Sequence, residues 1–251
     1  MSEEIELKLL RENEELRQRL NKLEGRNEDG IPSYNYSTIK LEELTALVDI
    51  ERDYINEDVF NHWFDFEYDV NESEENFLQT LIDKNIHIIT LYHEEDLKVN
   101  FIVPLINKID FFMLKDKIRN FYHETLFYQT DKFIFNGKAD FIVSKGIRTA
   151  TNPYFFIQEF KKGVRPTDPE PQLLAELISA IELNNELSIR GAYIVGENWN
   201  FVILEKLGKD RYQYFVSRTF NCTNIEDLKG IYKNLMFVKN EIIEMVKKEK
   251  I

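Results

Sequence analysis

Apolar positions change their spacing along this chain, and each change marks a different kind of element. Leu9, Asn13, Leu16, Leu20 and Leu23 fall at spacings of 4, 3, 4 and 3, which is the a/d seam of a coiled coil. The seam predicts a helix over 3–24 able to pair two copies of the chain. Residues 25–33 are polar and carry Gly25, Gly30 and Pro32, the composition of a linker. Residues 38–92 read as helical and acidic, with Leu41, Leu44, Leu47 and Val48 at helical spacing. A further helix is predicted from Glu94, with Leu97, Phe101, Leu105 and Ile109 on its inner face. Its acidic first turn suits the positive end of a helix dipole. A third helix is predicted over 112–128.

From Phe133 onward the pattern shortens towards the period of a strand. Phe133 to Val143 reads as a hairpin around Asn136-Gly137, a dipeptide suited to a two-residue turn. A strand follows over 154–161, then a loop containing Pro166, Pro169 and Pro171. Leu174, Leu177, Ile178 and Ile181 form the buried stripe of a helix over 171–185. Strands are expected near 190–195, 199–205 and 211–217, and a closing helix over 225–249. Helices, hairpin, strand, helix, strands and helix in that order predict an α/β fold. Its mixed sheet would be flanked by helices, with an N-terminal helical region and a short coiled coil. The expected division is a coiled-coil helix over 1–24, a linker and acidic helical region over 25–92, a core over 93–220, and a C-terminal helix over 221–251.

With 251 residues, 43% of them hydrophobic, the chain can bury one substantial core. No apolar run approaches the roughly 18 residues a membrane helix requires, and the charged first residues do not read as a secretory signal. A cytoplasmic protein without a membrane partner is therefore expected. Cys222 is the only cysteine, so it forms no internal disulfide and reads as a reduced structural thiol. Net charge is −13, but it is unevenly spread. Residues 1–130 hold 29 acidic and 14 basic side chains, whereas 131–251 hold 16 and 18. The second half can approach a phosphate backbone. The acidic first half is suited to a basic protein partner.

Three charged residues stand where core strands should be apolar: Asp140 within Ala139–Val143, and Glu159 and Lys161 at the end of Tyr154–Lys161. Strand alternation puts Glu159 and Lys161 on one face with Phe155 and Ile157. Charges buried there are costly unless they are paired or hold a metal. Two carboxylates with a backbone carbonyl, that of Phe160, are hard oxygen ligands suited to Mg²⁺, for which Mn²⁺ can substitute. Such an ion would acidify a water and neutralise charge developing on phosphorus, so the matching reaction is phosphodiester hydrolysis. Lys161 would orient or deprotonate the water, or stabilise the transition state as a point charge. Lys162 and Arg165 add cations able to grip phosphate. Trp199 and Tyr193 read as core or interface residues, and His62, His87, His93 and His123 as structural.

A hairpin bearing an Asp, then a strand ending Glu-x-Lys after 18 intervening residues, then a helix, resembles the PD-(D/E)XK nucleases. Ala139 stands where that motif's proline would be. The segment from His93 to Leu105 is similar to the N-terminal nuclease domains of type I restriction enzyme R subunits. The resemblance implies a restriction-endonuclease-like fold with Asp140, Glu159 and Lys161 as the active site. It further implies that Glu94 completes the metal site and that Gln172 lies near the catalytic lysine. The function it implies is a Mg²⁺-dependent endodeoxyribonuclease in defence, restriction or repair, with DNA as partner. Pairing through 3–24 would supply two sites for two strands. The alternative is a catalytically silent nuclease-fold module that engages a protein partner through its acidic half. A further expectation is that residues 1–92 restrain the nuclease half.

Overall fold

The computed structural model describes residues 30–161 and 168–249, so the expected coiled coil over 3–24 lies outside the described residues. Among the described residues nine strands form one curled mixed sheet. They are β1 (Ser33–Asn35), β2 (Asp49–Arg52), β3 (Ile118–Gln129), β4 (Ile134–Lys145), β5 (Thr151–Lys161), β6 (Ser188–Val195), β7 (Asn198–Gly208), β8 (Arg211–Val216) and β9 (Phe220–Asn221). The order across the sheet is β1-β4-β5-β6-β7-β8-β2, with β3 also on β4 and β9 also on β7. β5 and β6 are parallel neighbours, which requires a crossover. The Glu170–Asn184 helix supplies it.

Each face of the sheet has its own core. Ile142, Ile157, Val202 and Leu204 pack with Leu173, Leu174, Leu177 and Ile181 of the Glu170–Asn184 helix. On the other face Phe141, Val143, Phe156, Phe160 and Phe201 meet the Glu72–Asn85 helix, the helical run from Glu94 to Ile109, and the Ile225–Glu249 helix. Gly191 lets the first helix come close. A Cβ there would lie 2.9 Å from the Ile157 carbonyl and 3.1 Å from a Leu177 methyl. Strands β6 to β8 and the helices after Pro169 and Thr223 match the spacing of their apolar residues. Among the described residues no helix is long and apolar enough to cross a membrane.

Three expected elements fail, each where distant contacts outweigh local pattern. Most of residues 112–128 form strand, because β3 finds a 12-residue partner in β4, from Ile118↔Lys145 to Gln129↔Ile134. Apolar residues in that stretch fit either period, and tertiary pairing decides between them. Asn136-Gly137 is not a turn: both residues lie inside β4, and only Gly137 has a positive φ, 144°. A two-residue turn of that type needs both. The chain reverses instead over Thr130–Phe133, where the Thr130 N–H donates to the Phe133 carbonyl at 2.9 Å. Gly137 serves close packing, since a Cβ there would meet the Tyr36 ring at 2.9 Å. Finally, residues 38–92 are helical only in part, for β2 lies among them and extends the sheet edge beside β8.

Candidate active site

The site grows from a break in the hydrogen-bond ladder of β4. One edge of β4 carries β3 along its length. The other edge carries β1 at Ile134–Asn136 and β5 at Phe141–Lys145. Between them, Gly137 to Asp140 have no strand partner on that edge among the described residues. Side chains close the gap in place of backbone: the Asp140 N–H donates to Glu159 Oε1 at 3.1 Å, and the Phe160 N–H donates to Asp140 Oδ2 at 3.1 Å. Each carboxylate is thus aimed by the other strand's backbone.

The same break rotates β4. Phe133, Phe135 and Ala139 face the Glu170–Asn184 helix, but beyond Asp140 it is Ile142 that does so while Phe141 faces the opposite core. A one-residue change of phase swaps every side chain across a sheet, and Asp140 stands at the swap. Opposite it on β3, His123 holds a left-handed backbone with φ 52°, an uncommon state for a residue with a Cβ. Its Nδ1 lies 3.7 Å from Asp140 Oδ1.

Asp140, Glu159 and Lys161 come together as the motif implies. Glu159 is wholly buried and the Lys161 side chain 17% exposed, with its Nζ 3.7 Å from Glu159 Oε2. Both lie on the face of Ile157, towards the Glu170–Asn184 helix. Phe155, expected on that face, packs against the opposite core. The β4–β5 register slips after Val143, where Ser144 pairs with Tyr154. The extra residue, Phe155, changes sides, as at a bulge. Gln172 lies one helical turn before Glu176 and donates to its Oε1 at 3.2 Å. Glu94 reaches the site through Lys98, whose ammonium lies 3.2 Å from Glu94 Oε1, 3.2 Å from Glu95 Oε1 and 3.3 Å from Asp140 Oδ1.

Charge is held here against its natural tendency. Burial foremost, then the Glu176 and Asp140 charges, push Glu159 well above the usual carboxylate range. Burial likewise pushes Glu176 up beside it. Oε2 of each of these acids is buried with no hydrogen-bond donor among the described residues. Two buried carboxyls in contact share a proton to avoid facing like charges. Burial works to lower Lys98, but the Asp140 and Glu94 charges outweigh it and hold its ammonium more firmly protonated.

Lys98, Glu176 and His123 are the site residues that spacing did not single out. Glu176 did leave a signal, being an acid one turn from Gln172 within an otherwise apolar helix. Lys98 follows Glu94 at i+4 and directly succeeds Leu97 of the inner face. His123 left none, because its meeting with Asp140 depends on β3 being a strand. Lys162 and Arg165 lie outside the described residues. Trp199 is fully buried in the core as expected, while Tyr193 is partly buried and its hydroxyl lies 3.5 Å from Glu170 Oε2. Cys222 is buried, and burial pushes its thiol up, away from the reactive thiolate.

An implied divalent ion can be tested against these donors. Glu159 Oε2 is buried without a hydrogen bond, and the Lys161 ammonium lies 3.7 Å from it. The Phe160 N–H points into the gap, while the Lys161 carbonyl accepts from Gly196 towards β6. Alternation along β5 therefore turns the Phe160 carbonyl to the gap as well. Carboxylate and carbonyl oxygens at one opening suit Mg²⁺. No group of three His, Cys, Asp or Glu among the described residues is arranged as a ready cage. No protein-family model matches the chain, and no curated protein matches it.

Proposed function

We propose that this chain is a divalent-metal-dependent nuclease that hydrolyses DNA phosphodiester bonds on a restriction-endonuclease-like sheet. The observation that carries this reading is the gap in β4, where the Asp140 N–H donates to Glu159 Oε1, the Phe160 N–H donates to Asp140 Oδ2, and Glu159 Oε2 is left without a hydrogen bond, the Lys161 ammonium 3.7 Å away. Asp140, Glu159 and the Phe160 carbonyl are the groups that would hold Mg²⁺ or Mn²⁺, and Glu94 completes the acidic rim. The ion supplies a Lewis acid and a more acidic water. The protein's residues do the rest. The crossed bonds from the Asp140 and Phe160 amides fix both carboxylates, so little reorganisation accompanies the reaction. Lys161, partly open to solvent, sets a positive charge where the phosphoryl oxygens gather negative charge. Gln172 holds Glu176, which backs Glu159 from behind and keeps a proton in the pair. The aromatic residues beneath, Phe141 and Phe160, exclude water and strengthen each of these interactions.

A second reading, a silent nuclease-fold module, draws on one observation: Lys98 already neutralises Asp140 and Glu94. One experiment separates the two. Supercoiled plasmid and single-stranded DNA are incubated with the protein and with Lys161→Ala, with and without Mg²⁺ or Mn²⁺. The nuclease reading expects metal-dependent nicking that the variant lowers by about 10²- to 10³-fold, the usual cost of one transition-state contact. Absence of cleavage by the unaltered protein with either metal sinks it and favours the module.

A further inference from the structure

Lys98 is placed in the site by an irregular helix. The run from Glu94 to Ile109 is α-helical at both ends, but Lys98–Ile102 is wound as a π-turn. Pro104 lacks the N–H that the Asn100 carbonyl would normally accept, and Asn85 Nδ2 approaches that carbonyl instead at 3.4 Å. Single π-turns inside helices are frequent at functional positions. This one begins at Lys98, which is 5% exposed. Its ammonium lies over the Phe160 ring, 5.6 Å from the centroid, and is shared by three carboxylates at 3.2, 3.2 and 3.3 Å. Strong charge-assisted bonds run at about 2.7–2.9 Å, so no single partner holds it closely.

Asp140 Oδ1, the oxygen that Lys98 touches, belongs to the carboxylate offered to the ion. Two cations on one carboxylate repel each other, most strongly where water is scarce. We propose that the Lys98 ammonium is a displaceable occupant of the cation site, and that a divalent ion binds only as Lys98 leaves Asp140. The inference rests on the reading of Asp140 and Glu159 as metal ligands. Leaving is easy for this side chain. Glu94 and Glu95 are its i−4 and i−3 neighbours, so a turn of its flexible stem keeps the ammonium paired while releasing Asp140. Lys98 therefore sets the ion concentration at which the site loads.

Binding of Mn²⁺ alone tests this, read from the paramagnetic resonance signal of free Mn²⁺ with the full chain, Lys98→Met, Lys98→Arg, and the double variant Lys98→Met/Asp140→Asn. Removing the ammonium is expected to tighten Mn²⁺ binding by about tenfold or more, the range of ordinary site-to-site coupling. Lys98→Arg keeps the charge and should bind like the unaltered chain, and Asp140→Asn should erase the gain. Binding that is unchanged, weaker or absent in Lys98→Met overturns the proposal, making Lys98 a fixed strut for Asp140. Thermal melting covers the case in which Lys98→Met folds less firmly: Mn²⁺ must raise its Tm more than that of the unaltered chain, and an equal or smaller rise overturns the proposal too. Cleavage is scored apart. Tighter Mn²⁺ binding by Lys98→Met with no cleavage by the unaltered chain would uphold Lys98 as the occupant and remove the nuclease reading.

Discussion

Two places in this molecule bury carboxylates, and they treat them in opposite ways. Glu74, in the Glu72–Asn85 helix, accepts from the Tyr68 hydroxyl at 2.7 Å and the Tyr232 hydroxyl at 2.8 Å on one oxygen, and from the Asn71 N–H at 3.0 Å on the other. Burial by itself would raise it, but those three hydrogen bonds and the Lys108 charge outweigh burial and hold it below the usual carboxylate range. Glu159 and Glu176 each accept one hydrogen bond from outside the pair, on Oε1, and otherwise face each other, and both are raised. A carboxylate kept for structure is saturated with donors, because an unmade bond to a buried charge is costly. One left with open lone pairs between two strands retains capacity for a ligand. Burial is common to both, so the count of donors is what separates a cap from a candidate site.

That contrast can be broken by experiment. The largest effect is expected at Asp140→Asn, which should lower metal-dependent cleavage by about 10²- to 10³-fold while the melting temperature holds. A parallel collapse of stability would make Asp140 a structural residue like Glu74. Next comes Glu74→Gln, which should cost about 1.5–3 kcal/mol, the worth of hydrogen bonds to a charge, read from the urea midpoint with cleavage unchanged. Its pH signature follows from its lowered value. The stability Glu74 contributes is present above the ordinary carboxyl value and is lost as pH falls through its folded value. The variant should therefore show a flatter acid limb. The smallest effect is expected at Glu176→Gln. A raised carboxyl binds its proton in the folded chain at a pH where the unfolded chain has lost it, so stability drains as pH rises above the ordinary 4.5. An amide there can donate to Glu159 Oε2. It should flatten the loss towards alkaline pH and add about 1 kcal/mol. An unchanged loss would mean that Glu176 is already ionised in the folded chain.

The chain's own spacing determined a good part of this. Asp140, Glu159 and Lys161 announce themselves because a strand's alternation is local, and a charge inside Ala139–Val143 or Tyr154–Lys161 is visible without knowing what lies opposite. Strands β6 to β8, β5 beyond Phe155, and the Glu170–Asn184 and Ile225–Glu249 helices are legible for the same reason: each buries a stripe set by its own period. Gln172 and Glu94 fell near the site through one helical turn each. Tertiary structure alone decided what depends on partners distant in sequence. Residues 118–129 became strand because β4 offered a ladder to pair with, and only that pairing brings His123 to Asp140. Gly137 became a seat for Tyr36 instead of a turn. Lys98 and Glu176 entered the site from opposite faces of the sheet, at separations of 42 residues from Asp140 and 17 from Glu159. Periodicity fixes which way a side chain points from its own element. What it meets there is fixed by the packing of elements, which no local pattern encodes.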